Sequence, residues 1–190
     1  KSMEEITAPY LMTTSSNLSS SRALRDVTEQ YGGDYYAAAV GEVNVTTKMK
    51  ECGCLIGGEG NGGVIYPALH YGRDAMVGVA LFLTNLAYKN IKVSELLATY
   101  PKYVIAKNKI ELSDSSLIDR ILEEVKSVYA SEDINTIDGV KISFEDRKEW
   151  VHLRRSNTEP IIRIYAEAAT KEAADALAQQ IIDIAESIIK

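Results

Sequence analysis

The sequence predicts an α/β domain over residues 1–100 followed by an α+β domain over residues 101–190. Three observations carry this. A chain of 190 residues exceeds the roughly 100–150 at which one core usually settles. Before Pro101, short apolar runs alternate with helical periodicity, whereas beyond it one amphipathic helix is followed by successive strands and turns. Hydrophobic content of 46% with 25% charged residues is that of an ordinary globular protein.

In the first half, Thr13 to Ser21 is polar and serine-rich and receives no strand. Arg22, Ala23, Leu24, Val27 and Tyr31 then follow helical spacing until Gly32-Gly33 stops a capped surface helix. Asp34 to Val40 reads as a strand, and Asn44 to Glu51 as a short helix ended by Gly53. Cys54-Leu55-Ile56 reads as a buried strand running into glycines. Val64, Ile65 and Tyr66 look extended. Asp74 is placed to cap a helix to Lys89 whose densest apolar stretch, Ala75 to Tyr88, reads as a buried core helix. Ser94 is placed to cap a shorter helix that must end before Pro101.

In the second half, Tyr103 to Leu112 is strand-like. Leu117, Ile118, Ile121, Leu122, Val125, Val128 and Tyr129 form one apolar stripe on a helix. Asp138-Gly139 predicts a two-residue hairpin turn between strands, a second turn falls near Asp146, and Trp150 to Arg154 is a strand. Ile161 to Glu167 alternates, with Ile162, Ile164 and Ala166 on one face and Arg163, Tyr165 and Glu167 on the other. Thr170 then caps a final helix. Helices on one face of an antiparallel sheet make an α+β domain.

A net charge of −6 argues against broad binding to nucleic acid or to an anionic membrane, because an acidic surface repels phosphate backbones and headgroups alike. Cys52 and Cys54 are too few for a disulfide framework or a four-ligand zinc site, and the simplest expectation is a reduced, cytoplasmic protein. Lys1 to Tyr10 lacks a basic n-region and an apolar h-region, and no stretch matches a membrane span.

Two loops can carry chemistry. Gly58-Glu59-Gly60-Asn61-Gly62-Gly63 matches G-x-G-x-x-G, yet the next helix opens only at Asp74, so a dinucleotide fingerprint is not supported. Only Glu59 and Asn61 are polar and long enough to reach a ligand. A carboxylate beside a carboxamide suits adjacent sugar hydroxyls, which donate and accept; a plain glycine-rich turn is the other reading. Arg154-Arg155-Ser156-Asn157-Thr158-Glu159-Pro160 joins two strands. A guanidinium fork, two hydroxyls and turn-forming residues suit an anion such as phosphate, with Glu159 a repulsive neighbour unless it points away, and a solvated polar loop is again the alternative. His70 and His152 stand alone, Asp133/Asp138 and Glu123/Glu124 read as solvated charges, and no catalytic nucleophile or metal ligand is identified.

Together the two loops resemble the phosphoglucomutase and phosphomannomutase group, the α-D-phosphohexomutases. Gly58-Glu59-Gly60-Asn61-Gly62 is similar to that family's sugar-binding loop, G-E-x-S/N-G, and residues 154–160 to its phosphate-binding loop, R-x-S-G/N-T-E-P. The flanks Val40-Gly41-Glu42-Val43-Asn44-Val45, Gly72-Arg73-Asp74 and Tyr100-Pro101-Lys102-Tyr103 agree. The resemblance implies most of a third, α/β domain (1–100) and a fourth domain (101–190) with a TATA-binding-protein-like fold. It implies a hexose phosphate as substrate, interconverted between 1- and 6-phosphate through a bisphosphate. Gly58, Glu59, Gly60, Asn61 and Gly62 would hold the sugar, and Arg154, Ser156, Asn157 and Thr158 the phosphate; Arg155 receives no contact. The family's reactive serine and its Mg2+-binding D-x-D-x-D loop belong to its first two domains, which this sequence does not show. Those domains are therefore implied as partners, and the two loops as a recognition half with a hinge near Thr99 to Lys102. A non-catalytic phosphosugar-binding module is the competing reading.

Overall fold

The computed structural model describes residues 12–112, 114, 116–156 and 159–189. The chain divides into two compact units between Pro101 and Lys102. The fold is α/β followed by α+β, as the sequence predicts.

In the first unit a five-stranded mixed sheet runs in the order β2-β1-β3-β4-β5. Its strands are β1 (Thr14–Asn17), β2 (Tyr35–Ala38), β3 (Ile56–Glu59), β4 (Gly63–Tyr66) and β5 (His70–Arg73). β2, β1 and β3 are parallel, while β4 and β5 return antiparallel. Helix α1 (Ala23–Gln30) links β1 to β2, and α2 (Glu42–Cys52) links β2 to β3. The chain thus steps from β1 one way and then back across it, and right-handed crossovers put α1 and α2 on opposite faces. Side chains agree: Thr14 hydrogen-bonds Thr28 of α1 at 2.7 Å, whereas Ala38, Val45, Met49, Cys54 and Ile65 form the core under α2.

The serine-rich segment that sequence reading left without a strand is β1, the most enclosed strand of this sheet, with all four residues buried. Parallel strands covered on both faces normally read as apolar runs; here hydrogen bonds replace the apolar contacts, including Ser16 to the Tyr35 hydroxyl at 2.9 Å. β3 begins at Ile56 and takes in Gly57 and Gly58, while Leu55 is exposed, which corrects the expected strand at 54–56. The glycines belong to the strand because an added Cβ on Gly58 would lie 2.0 Å from the Gly63 carbonyl oxygen on the neighbouring strand.

Helix α3 (Ala75–Lys89) starts where expected, with the Asp74 side chain accepting from the Met76 and Val77 N–H groups. It is not a buried core helix: none of its residues is buried, and Met76 is 76% and Leu83 56% exposed. Gly78 packs on Val64 of β4, but the apolar residues point all round the helix and one sheet face covers only one side. Helix α4 (Val93–Ala98) is capped at Lys92, two residues earlier than Ser94 would require, with the Glu95 carboxylate accepting from the Lys92 N–H at 2.7 Å.

The second unit is an antiparallel sheet of order β6-β10-β9-β8-β7 with two helices on one face. Its elements are β6 (Val104–Glu111), α5 (Leu117–Val128), β7 (Asp133–Asn135), β8 (Val140–Phe144), β9 (Glu149–Arg155), β10 (Ile161–Ala168) and α6 (Lys171–Ile189). Ile118, Ile121 and Val125 of α5 meet Ile142, Val151, Leu153, Ile162 and Ile164 in one continuous core. Val128 lies off the predicted stripe and is exposed. The β7–β8 hairpin forms, but its register pairs Asn135 with Lys141, and only Gly139 has positive φ, at 72°. The two-residue turn is therefore replaced by a longer loop, because Asp138 does not take the left-handed conformation that turn needs. The Thr170 hydroxyl accepts from the Ala173 N–H and caps α6 as expected.

Candidate functional site

β1 and β3 are neighbours across the point where strand connection reverses direction, and the crevice beyond the carboxyl ends of such strands is where open α/β sheets hold ligands. Their register pairs Ser16 with Gly58, so the next residues, Asn17 and Glu59, meet at that edge. The Asn17 amide donates to Glu59 Oε1 at 2.9 Å, and Asn17 Oδ1 accepts from the Ser19 N–H and the Ser20 hydroxyl. The Glu59 side chain is 6% exposed, with its Oε2 3.8 Å from an Arg73 guanidinium nitrogen.

The loop after Glu59 is a tight reversal. The Gly62 N–H donates to the Glu59 carbonyl at 3.1 Å, and Gly62 has φ 92°, which favours glycine. The Gly60 N–H donates to the Ser20 hydroxyl at 2.8 Å, tying the loop to the turn after β1. Asn61 is exposed and its Oδ1 accepts from the Gly63 N–H at 3.1 Å, leaving the amide nitrogen on the outer side of the loop. Gly58, Glu59, Gly60, Asn61 and Gly62 are thus one continuous rim, in which Glu59 is held and Asn61 faces solvent.

Beside this rim lies a cleft of about 540 Å³ lined by Glu42, Asn61, Gly62, Gly63, Arg73 and Ala75. Glu42 opens α2 and accepts from Arg73 twice, at 3.1 Å from the backbone N–H and 2.8 Å from Nε. The Arg73 N–H and then its guanidinium hold the Glu42 carboxyl below its usual range, against the opposing effect of burial. Sequence reasoning named no role for Asn17, Ser20, Glu42 or Arg73. Asn17 and Ser20 carried one signal, a run of buried-strand length made of hydrogen-bonding residues; the Glu42–Arg73 pairing spans 31 positions and carried none.

In the second unit, strand alternation sorts the arginine loop. Arg154 and Ser156 share the sheet face turned away from the helices, while Arg155 faces the other side and pairs with Asp119 of α5 at 3.5 Å. The β9–β10–β6 register sets Arg154 beside Arg163 and Arg163 beside Lys109, a row of three cations running across the sheet. Arg154 Nε is buried and has no hydrogen-bond partner among the described residues. Ser156 is buried, and its N–H donates to the Ile161 carbonyl at 3.0 Å, closing the base of the loop. Glu159, expected to repel an anion, turns to Arg163 at 3.6 Å. Asn157 and Thr158 lie outside the described residues.

Other titratable groups are accounted for. On the same face as Arg154, the His152 ring N–H (Nε2) donates to the Asp138 carbonyl at 2.6 Å, and burial lowers its pKa to about 4, so the ring is neutral at pH 7. Trp150 Nε1 donates to the buried Glu167 at 2.7 Å. Burial raises the Cys54 thiol to about 11, which removes it as a nucleophile at neutral pH. Among the described residues no group of three or more His, Cys, Asp or Glu side chains is placed to hold a metal ion, and no helix is long and apolar enough to cross a membrane.

Two family profiles match the chain, end to end. Residues 4–103 match phosphoglucomutase/phosphomannomutase, alpha/beta/alpha domain III, and residues 103–184 match the phosphoglucomutase/phosphomannomutase C-terminal domain. A probable phosphoglucosamine mutase of Methanopyrus kandleri is 35% identical over 88% of this chain and 37% of its own length. A phosphoglucosamine/phosphogalactosamine mutase of Sulfurisphaera tokodaii is 36% identical over 89% of this chain and 37% of its own. The chain therefore spans a little over a third of the curated relatives it matches. A crystal structure of a phosphoglucomutase/phosphomannomutase family protein from Burkholderia thailandensis superimposes with a TM-score of 0.78 over 97% of this chain and 39% of that one; at 24% identity this likeness shows the fold.

Proposed function

The chain belongs to the phosphoglucomutase/phosphomannomutase family, spanning its third and its C-terminal domain, and from that premise we propose that it holds the hexose and one phosphate of a hexose phosphate for a phosphohexomutase. The enzyme so served interconverts hexose 1- and 6-phosphates through a bisphosphate. Glu59 and Asn61 read ring hydroxyls, with Gly58, Gly60 and Gly62 letting the backbone come close. Arg154 and Ser156, together with Asn157 and Thr158 by family match, anchor the phosphate that is not being transferred. Phosphoryl transfer depends on fixed distances and charge neutralisation, so such anchoring contributes directly to rate. The phosphoryl transfer itself is assigned to no residue of this chain, and neither is the Mg2+ ion that the resemblance implies. The names of the relatives make hexosamine phosphates the first candidates among the substrates.

The observation that carries this reading is Arg154. Its buried Nε has no partner among the described residues, which costs free energy unless a ligand accepts from it, and it stands in a row with Arg163 and Lys109. Calorimetric titration with glucose 6-phosphate tests it. Arg154→Ala is expected to weaken binding by about 1.5–3 kcal/mol, the value of a hydrogen bond to a charged group. Equal affinity for parent and variant would refute the anchoring role.

A further inference from the structure

A carboxylate that reads hydroxyls must present an oxygen in a fixed place, and the broad terminal torsion of glutamate leaves that place undefined unless something holds the group. Glu59 is held by a closed ring of hydrogen bonds. Its Oε1 accepts from the Asn17 amide nitrogen at 2.9 Å, Asn17 Oδ1 accepts from the Ser20 hydroxyl at 3.0 Å, and that hydroxyl oxygen accepts from the Gly60 N–H at 2.8 Å, one peptide beyond Glu59. The Asn17 amide has one orientation here: the Ser19 N–H, a donor, faces Oδ1 at 3.0 Å, so the nitrogen is turned to Glu59. Asn17 and Ser20 are both buried, and an added Cβ on Gly60 would stand 3.1 Å from the Ser20 Cα, so the loop is pressed against the turn after β1. Among the described residues the charged group facing Glu59 is Arg73 of β5, itself paired with Glu42. It stands 3.8 Å from Glu59 Oε2, an ion-pair distance too long for a hydrogen bond, so Oε2 keeps room to accept. Glu59 also lines a cleft of about 290 Å³ together with Ser16, Ser20, Leu24, Gly58 and Gly60.

We propose that Asn17 and Ser20 are positioning residues for the loop Gly58 to Gly62: they hold the Glu59 carboxylate in the orientation that offers Oε2 to a ring hydroxyl, and they fix the Gly60 backbone beside it. This rests on the hexose phosphate reading above. Both residues act through Glu59 and Gly60. Without the Asn17 amide the carboxylate turns freely, and ordering it when the sugar binds lowers affinity by about two- to tenfold, the range for one immobilised side chain.

Calorimetric titration of the chain with glucose 6-phosphate, and with inorganic phosphate as a ligand without a ring, tests this. Asn17→Ala is expected to weaken glucose 6-phosphate binding by that factor and to leave inorganic phosphate unchanged, whereas Arg154→Ala weakens both. Ser20→Ala moves glucose 6-phosphate affinity the same way by less, and it carries the test if Asn17→Ala does not fold. Asn17→Asp supplies a readout that a merely structural role would not move. The new carboxylate faces Glu59 Oε1, two carboxylates so close do not both stay ionised, and a shared proton rebuilds the bond in acid. Its affinity for glucose 6-phosphate, taken relative to the parent at each pH, is therefore expected to rise from about pH 8 to about pH 5. A flat ratio overturns the inference, as do alanine variants that melt earlier yet bind glucose 6-phosphate as the parent does; either result leaves the sugar-phosphate reading intact. A parent that does not bind glucose 6-phosphate overturns that reading and this inference together.

Discussion

Glu59 ends β3 and Arg154 lies one residue from the end of β9, yet one arrives with its partners in place and the other does not. Both Glu59 oxygens are engaged, by Asn17 and by Arg73, and Asn17 is itself held by Ser19 and Ser20. Arg154 Nε is enclosed without an acceptor among the described residues. A hydroxyl both donates and accepts, so a site for it works with an acid whose orientation is already settled. An anion only accepts, and its site must keep donors out of water and unsatisfied until it comes. The first unit therefore builds its proposed site into its own stability, while the second keeps part of its proposed site in reserve.

That contrast breaks first under acid. His152 lies two residues from Arg154 on the same face, and its ring is neutral through burial. The unfolded chain takes up this proton below about pH 6.5 and the folded chain only near pH 4, so stability is complete above the first value and falls between the two. The loss amounts to roughly 3 kcal/mol. Urea unfolding at pH 7 and pH 4.5, followed by Trp150 fluorescence, is expected to show the second unit weakening. An unchanged midpoint would mean that His152 is already charged in the folded state.

Gly58→Ala is expected to cost about 2–3 kcal/mol, because the new methyl would meet the Gly63 carbonyl and part β3 from β4. A thermal melt within a degree of the parent would show that the strands separate at little cost. Asn17→Ala is expected to destabilise the first unit by about 1–2 kcal/mol by leaving a buried carboxylate oxygen without its donor. Arg154→Met is expected to change stability by less than about 0.5 kcal/mol while it removes phosphate affinity, since its buried Nε has no partner among the described residues. A loss of stability as large as that of Asn17→Ala would erase the difference between the two sites. Smallest of all, Arg155→Ala should leave hexose phosphate affinity within about threefold, because Arg155 faces α5 and its exposed pair with Asp119 is worth under about 1 kcal/mol.

The second unit was the more legible in sequence because its elements obey one period each. Ile162, Ile164 and Ala166 alternate with Arg163 and Tyr165, and both helices carry an apolar stripe that matches the sheet. The first unit defeats local reading twice. Thr14–Asn17 is a polar segment in the middle of a sheet, stabilised by hydrogen bonds to residues from 14 to 42 positions away. Ala75–Lys89 is an apolar helix that nothing among the described residues encloses. Hydrophobicity reports what a segment can bury, and only the neighbours decide whether it is buried.

The candidate site divides along the same line. Residue type and spacing marked Glu59, Asn61 and the loop 154–160 as a whole, because glycines that admit a close backbone and a fork of donors beside hydroxyls are chemistry written within a few positions. Resemblance to the family singled out Arg154 and Ser156 within that loop, and the structure sets Arg154 and Arg155 on opposite faces. What the tertiary structure alone decided is which charges meet: Glu42 with Arg73, Arg73 with Glu59, and Arg154 with Arg163 and Lys109. Pairings of this kind depend on crossover direction and sheet register, which arise from packing across the whole domain, and Coulombic energy depends on distance in space, which spacing along the chain does not record.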